Sequence, residues 1–325
     1  MKYVYLIKSA LLAASTCIIA SFACAQNFPD RPITLVVPNP PGGLVDTSAR
    51  LLSEPLARVI GQPVVVDNKP GASGNTAYQY VAKAKPDGYT LLISYSGYHV
   101  GNPALMDKLP WDPVKDFSPI ALLTVSTNVI AVHPSVPVNN LKELIANAKA
   151  NPGKLNYASQ GNGSVSHIGT EIFKQTTGVD MVHVPYKGSG PAVQDVLAGQ
   201  VQVFITTPPS VMQHVQSGKL KGLAVTGKNR HPGMPNVPTT TEAGLASFQL
   251  ESWVALYAPA GTSAPVVTKL TDSVKKSLAL PEIKERADAA GVELRYLNPP
   301  AMDALLKKEL PYWYKAIKSA NITLD

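Results

Sequence analysis

The feature that most limits the fold is a unit that recurs along the chain: an apolar run, a glycine-bearing loop, then a stretch with helical period. The first copy joins Ile33–Val37 to residues 47–60 through Pro38-Asn39-Pro40-Pro41-Gly42-Gly43-Leu44-Val45-Asp46. This largely apolar run, Ile-Thr-Leu-Val-Val, reads as a buried strand. The prolines stiffen the start of the loop, and Gly42 and Gly43 leave its backbone bare. Bare backbone at a helix N-terminus presents free N–H groups and the positive end of the helix dipole, which suits a carboxylate or phosphate. Taken alone, the loop also reads as a tight turn with Asp46 as N-cap. Recurrence is what favours binding.

A second loop, Asn68-Lys69-Pro70-Gly71-Ala72-Ser73-Gly74, follows a strand at residues 64–66 and precedes a helix at 75–84. Residues 89–94 form the next strand, with Ser94 and Ser96 at its C-terminal end. The order is βαβαβ, the unit of a parallel doubly wound sheet. Residues 111–119 read as a surface connector. Strands are expected at 120–124 and 129–132, and a helix at 138–150. The pattern then repeats. Strands at 155–158, 181–184 and 201–205 alternate with helices at 167–177 and 191–199. Between them lie Ser159-Gln160-Gly161-Asn162-Gly163-Ser164-Val165-Ser166 and Tyr186-Lys187-Gly188-Ser189-Gly190. Strands at 222–226, 253–257 and 292–296 and helices at 264–278, 281–290 and 301–320 complete the chain.

Ligands in open α/β sheets bind beyond the C-terminal ends of the strands. Two such units facing each other bring four loops to one cleft. The expected fold is α/β and two-lobed, of the type II periplasmic-binding-protein kind. Each lobe is a doubly wound sheet, with a hinge between them. Residues 26–124 with 254–325 make lobe 1, and 125–253 make lobe 2.

Residues 1–25 have the pattern of a cleavable secretory signal: Lys2 and Lys8, an apolar stretch at 10–22, then Ala23-Cys24-Ala25. Both cysteines, Cys17 and Cys24, fall inside it. The remainder has no thiol for disulfides, catalysis or metal. The residues before Cys24 lack the aliphatic position of a lipoprotein signal, which favours simple cleavage. Lys2 and Lys8 account for two of the seven net positive charges, leaving +5. The cations are scattered, which gives mild attraction for anions and no nucleic-acid footprint. No later apolar run is long enough to cross a bilayer, so a soluble product is expected.

Catalytic patterns are poorly supported. In Gly161-Asn162-Gly163 the third glycine of a dinucleotide fingerprint is replaced by Ser166. There is no Gly-x-Ser-x-Gly elbow. His167 and Glu171 could share a helix face, but no third metal ligand is near in sequence. Asp46 is the main carboxylate in the loops, so a general acid–base pair has little support. Neither cofactor nor metal is expected. What the loops do supply is donors. The hydroxyls are Ser73, Ser94, Ser96, Ser164, Ser166, Thr206 and Thr207. Amides flank Gly42, Gly43, Ala72, Gly74 and Gly163. Lys187, beside Gly188, and His167 could add positive charge. Each serine at a loop–helix join reads equally as an N-cap, and Lys187 as a solvated charge. Tyr95, Tyr98 and Tyr186 either wall the pocket or belong to the scaffold. A donor-rich cleft without a catalytic pair suits binding a small carboxylate.

The chain resembles the Bug-type periplasmic receptors, the substrate-binding proteins of tripartite tricarboxylate transporters. The likeness spans nearly all of residues 26–325. It is carried by Pro29-Asp30-Arg31-Pro32-Ile33, Gly42-Gly43-Leu44-Val45-Asp46-Thr47-Ser48-Ala49-Arg50, the loop from Asn68 to Gly74, and Lys85-Pro86-Asp87-Gly88-Tyr89-Thr90-Leu91-Leu92. His183-Val184-Pro185-Tyr186-Lys187-Gly188, Pro235-Asn236-Val237-Pro238-Thr239-Thr240-Thr241-Glu242-Ala243-Gly244 and Tyr257-Ala258-Pro259-Ala260-Gly261-Thr262 continue it. The resemblance implies a hinge-closing, non-enzymatic receptor in the periplasm, monomeric, serving the membrane subunits of a transporter. The implied ligand is a small carboxylate, a di- or tricarboxylate or an aromatic acid. The loops at 42–46 and 71–74 would hold a carboxylate, partly through water, and those at 164–167 and 187–188 would close over its far side. Two rivals stay open. One is a secreted hydrolase or transferase using Ser166 or His167; the other is a ligand sensor for a membrane kinase.

One departure from the family is informative. Many members place an acidic residue near the strand that here reads Gln202-Val203-Phe204-Ile205-Thr206-Thr207. Thr206 and Thr207 hydrogen-bond without negative charge, which favours plain dicarboxylates or aromatic acids over amino-bearing ligands. Thr207→Asp is therefore expected to weaken dicarboxylate binding in calorimetry, and an unchanged affinity would remove the argument.

Overall fold

The computed structural model describes residues 28–319 and residue 322. The expected secretory segment, with Cys17 and Cys24, lies outside the described residues. β1 (Ile33–Val37), α1 (Leu44–Ile60), β2 (Val64–Asn68), α2 (Asn75–Ala82) and β3 (Thr90–Tyr95) form the first βαβαβ unit. β1 lies between β2 and β3 and runs parallel to both. A central parallel strand is covered on both faces, which is why its sequence is unbroken Ile, Thr, Leu, Val, Val. Ile33, Leu35, Val36 and Val37 are fully buried. α1 buries Leu44, Val45, Leu51, Leu52 and Leu56 along one side. It stops at Gly61, whose left-handed conformation (φ 79°) returns an amide to Ala57 O.

Two short helices follow, α3 (Ser96–His99) and α4 (Asn102–Leu105), then β4 (Phe117–Thr127). The connector before β4 is not simply a surface loop. Trp111 is buried, stacks on Tyr78 with centroids 4.4 Å apart, and donates from its indole to Asn75 Oδ1 at 2.7 Å. Its neighbours Asp112, Pro113 and Lys115 mark it as exposed; one aromatic anchor overrides them.

β5 (Val129–Val132) and α5 (Leu141–Ala150) lead into the second unit. That unit is β6 (Asn156–Ser159), α6 (Val165–Thr177), β7 (Val182–Pro185), α7 (Ser189–Leu197) and β8 (Val203–Thr206). β6 lies between β7 and β8 and is parallel to both, the same local order as in the first unit. Then come α8 (Pro208–Gln216), β9 (Lys221–Val225), β10 (Glu251–Pro259), α9 (Ala264–Leu278), α10 (Pro281–Ala290), β11 (Glu293–Leu297) and α11 (Pro299–Ser319). The fold is two-lobed α/β. One sheet has the order β11-β4-β10-β3-β1-β2 and the other β7-β6-β8-β5-β9. Neither sheet is purely parallel. β10 runs antiparallel to β3 and β4, and β5 antiparallel to β8 and β9, because these strands carry the chain between the sheets.

The passages between the sheets are laced together. Asn128 alone separates β4 from β5. Its amide donates to Thr226 Oγ1 at 2.8 Å, and the Thr226 amide donates back to Asn128 O at 2.9 Å. The Thr226 hydroxyl donates in turn to Leu250 O, just before β10. One buried hydroxyl thus ties three chain segments at the junction. Thr226→Val keeps the shape but leaves the Asn128 amide without its acceptor. The expected loss is about 1–3 kcal/mol of stability, read in urea denaturation, and an unchanged midpoint would show that the tie contributes nothing.

Candidate functional site

The first loop is organised by Asp46. Its Oδ2 accepts from the Gly42 amide at 3.1 Å and from Arg50 Nε at 3.0 Å, and its Oδ1 from Asn68 Nδ2 at 3.1 Å. Asn68 Nδ2 also donates to Asn39 O at 2.9 Å, so the end of β2 holds the loop after β1. Burial opposes the charge on Asp46. The hydrogen bonds from Arg50, Asn68 and the Gly42 amide outweigh it and hold the carboxyl below its ordinary value. The N-cap of α1 is Gly43, so Asp46 is not the cap but sits within the first turn. Its oxygens are occupied in shaping the loop.

The second loop is held in an unusual backbone state. Gly71, Ala72, Ser73 and Gly74 all have positive φ (130°, 48°, 52° and 84°). Left-handed Ala and Ser cost about 1–3 kcal/mol each and persist only where the surroundings enforce them. Here Asn102 Nδ2 donates to Ser73 O at 2.9 Å, and Ser73 Oγ reaches Asn162 O of the third loop at 2.8 Å. A Cβ on Gly74 would lie 2.4 Å from the Tyr98 ring. The second and third loops therefore meet across the gap between the sheets.

The first and fourth loops meet as closely. A Cβ on Gly43 would lie 2.8 Å from Ser189 Oγ, and one on Gly188 3.0 Å from Pro40 Cγ. Between them is a small cavity lined by Asn39, Pro40, Gly43, Leu44, Val45, Tyr95, Gln160, Gly188 and Ser189. Gly43, Leu44 and Val45 are the N-terminus of α1; Gly188 and Ser189 are the N-terminus of α7. Two helix N-termini thus converge on one cavity, and no acidic or basic side chain lines it. The first amides of a helix have no carbonyl within it to bond, and each aligned dipole favours a nearby anion by about 0.3–1 kcal/mol.

The sequence-predicted residues take different places around the cavity. Gly43 and Gly188 line the cavity. Gly42, Asp46, Ala72, Ser73, Gly74, Ser164, Ser166 and His167 build the loops around it. Ser164 Oγ donates to Gly161 O at 2.6 Å and lies 2.9 Å from Ser166 Oγ, which accepts the Gln160 amide at 2.9 Å. Thr206 Oγ1 accepts from Gln160 Nε2 at 3.0 Å and so aims a lining residue. Thr207 Oγ1 and Asn39 Oδ1 are buried with no hydrogen-bond partner. Ser94 and Ser96 are not brought to the cavity. Ser94 Oγ contacts Tyr78 Oη and His99 Nδ1 within the core, and Ser96 Oγ accepts the Trp253 amide.

The expected positive charges are also placed elsewhere. Lys187 is exposed. His167 Nδ1 accepts the Gly163 amide at 3.2 Å. It stacks on His183, centroids 4.1 Å apart, and His183 stacks on Tyr157. Burial, then the neighbouring His167, pushes the His183 imidazole down to about 4. Of the three tyrosines, Tyr95 lines the cavity, and Tyr98 is buried with its hydroxyl accepting from Asn39 Nδ2. Tyr186 instead donates to Asp195. Asn39, Gln160 and Ser189 line the cavity and were not singled out from sequence, although each adjoins a proline or glycine of the loops that were.

Residues 48–322 match the sequence profile of the tripartite tricarboxylate transporter family receptor. The chain belongs to this family. The protein BugT of Bordetella pertussis is 35% identical over 307 residues, 94% of each chain. Two solved structures from Rhodopseudomonas palustris are close in fold. Rpa4515 with adipate is 36% identical, with a TM-score of 0.88, covering 91% of this chain and 99% of its own. MatC with bound malate is 35% identical, with a TM-score of 0.84, covering 89% and 100%.

Asp46→Asn is expected to cost about 1–3 kcal/mol at neutral pH. It should also remove an acid-sensitive contribution. A carboxyl held below its ordinary 3.8 stabilises the fold fully above that value, and the contribution is lost as pH falls through the lower folded value. Denaturant titrations at neutral pH and below pH 3.8 check both.

Proposed function

We propose that this receptor binds a small organic carboxylate, a di- or tricarboxylate or an aromatic acid, in the periplasm. It hands the ligand unchanged to the membrane subunits of a tripartite transporter and acts as a monomer. The observation that carries this reading is the convergence of α1 and α7, N-termini first, on a cavity without charged side chains. Leu44 and Val45 amides from one lobe and the Ser189 region from the other would grip the anion. Lobe 1 would be the sheet containing β1, and lobe 2 the sheet containing β6, with the hinge at Asn128, Thr226 and Leu250. A ligand that bridges both lobes selects the closed arrangement. Asn39 Oδ1, in the cavity wall and without a partner, would add an acceptor for a ligand hydroxyl or a bridging water. The adipate and malate held by the two R. palustris relatives support a small carboxylate as the ligand class; the cavity is about 10 Å³ here, so the loops would have to part to admit one.

An enzymatic role is less well supported. Ser166 Oγ is engaged by Ser164 and the Gln160 amide, and His167 Nδ1 is taken up by the Gly163 amide. No activated nucleophile–base pair results. Incubation with malate, adipate and aromatic acids should raise the thermal midpoint for at least one acid, which mass spectrometry then recovers unaltered; recovery of a converted product would favour the enzyme.

Gly43→Val tests the closure. Gly43 has φ −109°, which any residue adopts, so the lobe should fold. A branched side chain would nevertheless meet Ser189 on closing. At least about tenfold weaker binding is expected in calorimetry, a loss of about 1.4 kcal/mol, with little change in the midpoint of the ligand-free protein.

A further inference from the structure

We infer that the outer face of α11 is a docking surface for an anionic lipid bilayer. The helix buries Met302, Leu306, Trp313 and Ile317, and it packs against β4 and α4. Its opposite side exposes Lys307, Lys308, Lys315 and Lys318, with Tyr312 and Tyr314 also exposed. At about 100° per residue, the lysines share one side and the two tyrosines flank them. From Lys307 to Lys318 the row is about 16 Å long. None of the ion pairs among the described residues involves these four lysines. The helix has two acids. Asp303 lies a turn before the row, and Glu309 turns inward to accept from the indoles of Trp253 and Trp313.

Among the described residues the row thus forms no salt bridge and carries a net positive charge, on a chain whose other cations are dispersed. A convex helix face offers no groove for an acidic peptide, but it matches a flat sheet of phosphate headgroups. Lysine stems and tyrosine rings are the side chains that sit at such a boundary, with apolar bodies below and polar tips in water. Each lysine near an anionic surface contributes enough for severalfold tighter binding, and four act together. A receptor held at the surface would search for its membrane partner in two dimensions. The inference is independent of which ligand fills the cleft.

Vesicle cosedimentation of the whole protein tests it, using phosphatidylcholine alone against an equal mixture with phosphatidylglycerol. Binding to the mixed vesicles should exceed binding to the neutral ones by at least about tenfold. It should also disappear near about 1 M salt, where the screening length is about 3 Å. The variant K307Q/K308Q/K315Q/K318Q should lose that binding while keeping its thermal midpoint. A variant with the same charge change on other exposed lysines, K142Q/K149Q/K219Q/K228Q, should keep it. Failure to bind either vesicle, as for a face that recognises only a protein partner, would overturn the proposal. So would equal binding to both vesicles, or equal loss in the two variants.

Discussion

The structure turns on how closely two pairs of loops approach across the gap between the sheets. Gly43 faces Ser189, and Gly188 faces Pro40, at separations that leave no room for an additional side chain. Ser73 and Asn162 make the second bridge through a hydrogen bond. These approaches require backbone to meet backbone or a short side chain. The glycines are therefore not merely permissive turn residues. At Gly188 both demands coincide, since its φ of 108° is also a region that side chains avoid.

Bare backbone changes the electrostatics as well as the sterics. A lysine or arginine in so small a cavity would have to be desolvated, a penalty of several kcal/mol for an unpaired ion. Amides at helix N-termini carry partial positive charge with no ion to desolvate and no rotamer to freeze. The surrounding side chains serve this arrangement indirectly. Asp46 fixes the Gly42 amide, Thr206 fixes Gln160, and Ser166 fixes the Gln160 amide. Such a network orients donors, and the buried His167–His183 stack is part of the same scaffold.

The strands and the four loops were legible because apolar runs and glycine clusters are local signals. The matching order β2-β1-β3 and β7-β6-β8 follows from the short βαβ crossovers. What escaped is non-local. Ser94 and Ser96 look like cleft hydroxyls at a strand end, yet the core contains His99, Tyr78 and the Trp253 amide, which take those hydroxyls. No sequence spacing brings Trp253 beside Ser96. Trp111 was hidden among charged neighbours whose composition speaks for solvent. Lys187 sits next to a lining glycine, but residue order does not say on which side of the chain its side chain emerges. Gln160 and Ser189 were hidden by the opposite problem: polar residues beside glycine are so common in turns that position alone cannot raise them.

The proposed hinge would place a further demand on this design. Two chain passages join the sheets, β4 to β5 and β9 to β10, and they are tied to each other through Asn128, Thr226 and Leu250. So tight a tie would confine a closing motion to a few backbone torsions, with each proposed lobe moving as a unit. Rigid lobes are what make amide recognition workable. A dipole loses its advantage when it wanders, and both helix N-termini are fixed by their own sheets. Ligand free energy can then favour closure only through groups that touch both lobes at once. An anion gripped by α1 alone would bind without shifting the equilibrium, because its affinity would be the same open or closed. Under the proposed reading, coupling between binding and closure would therefore require the second N-terminus, at Gly188 and Ser189, to meet the same ligand.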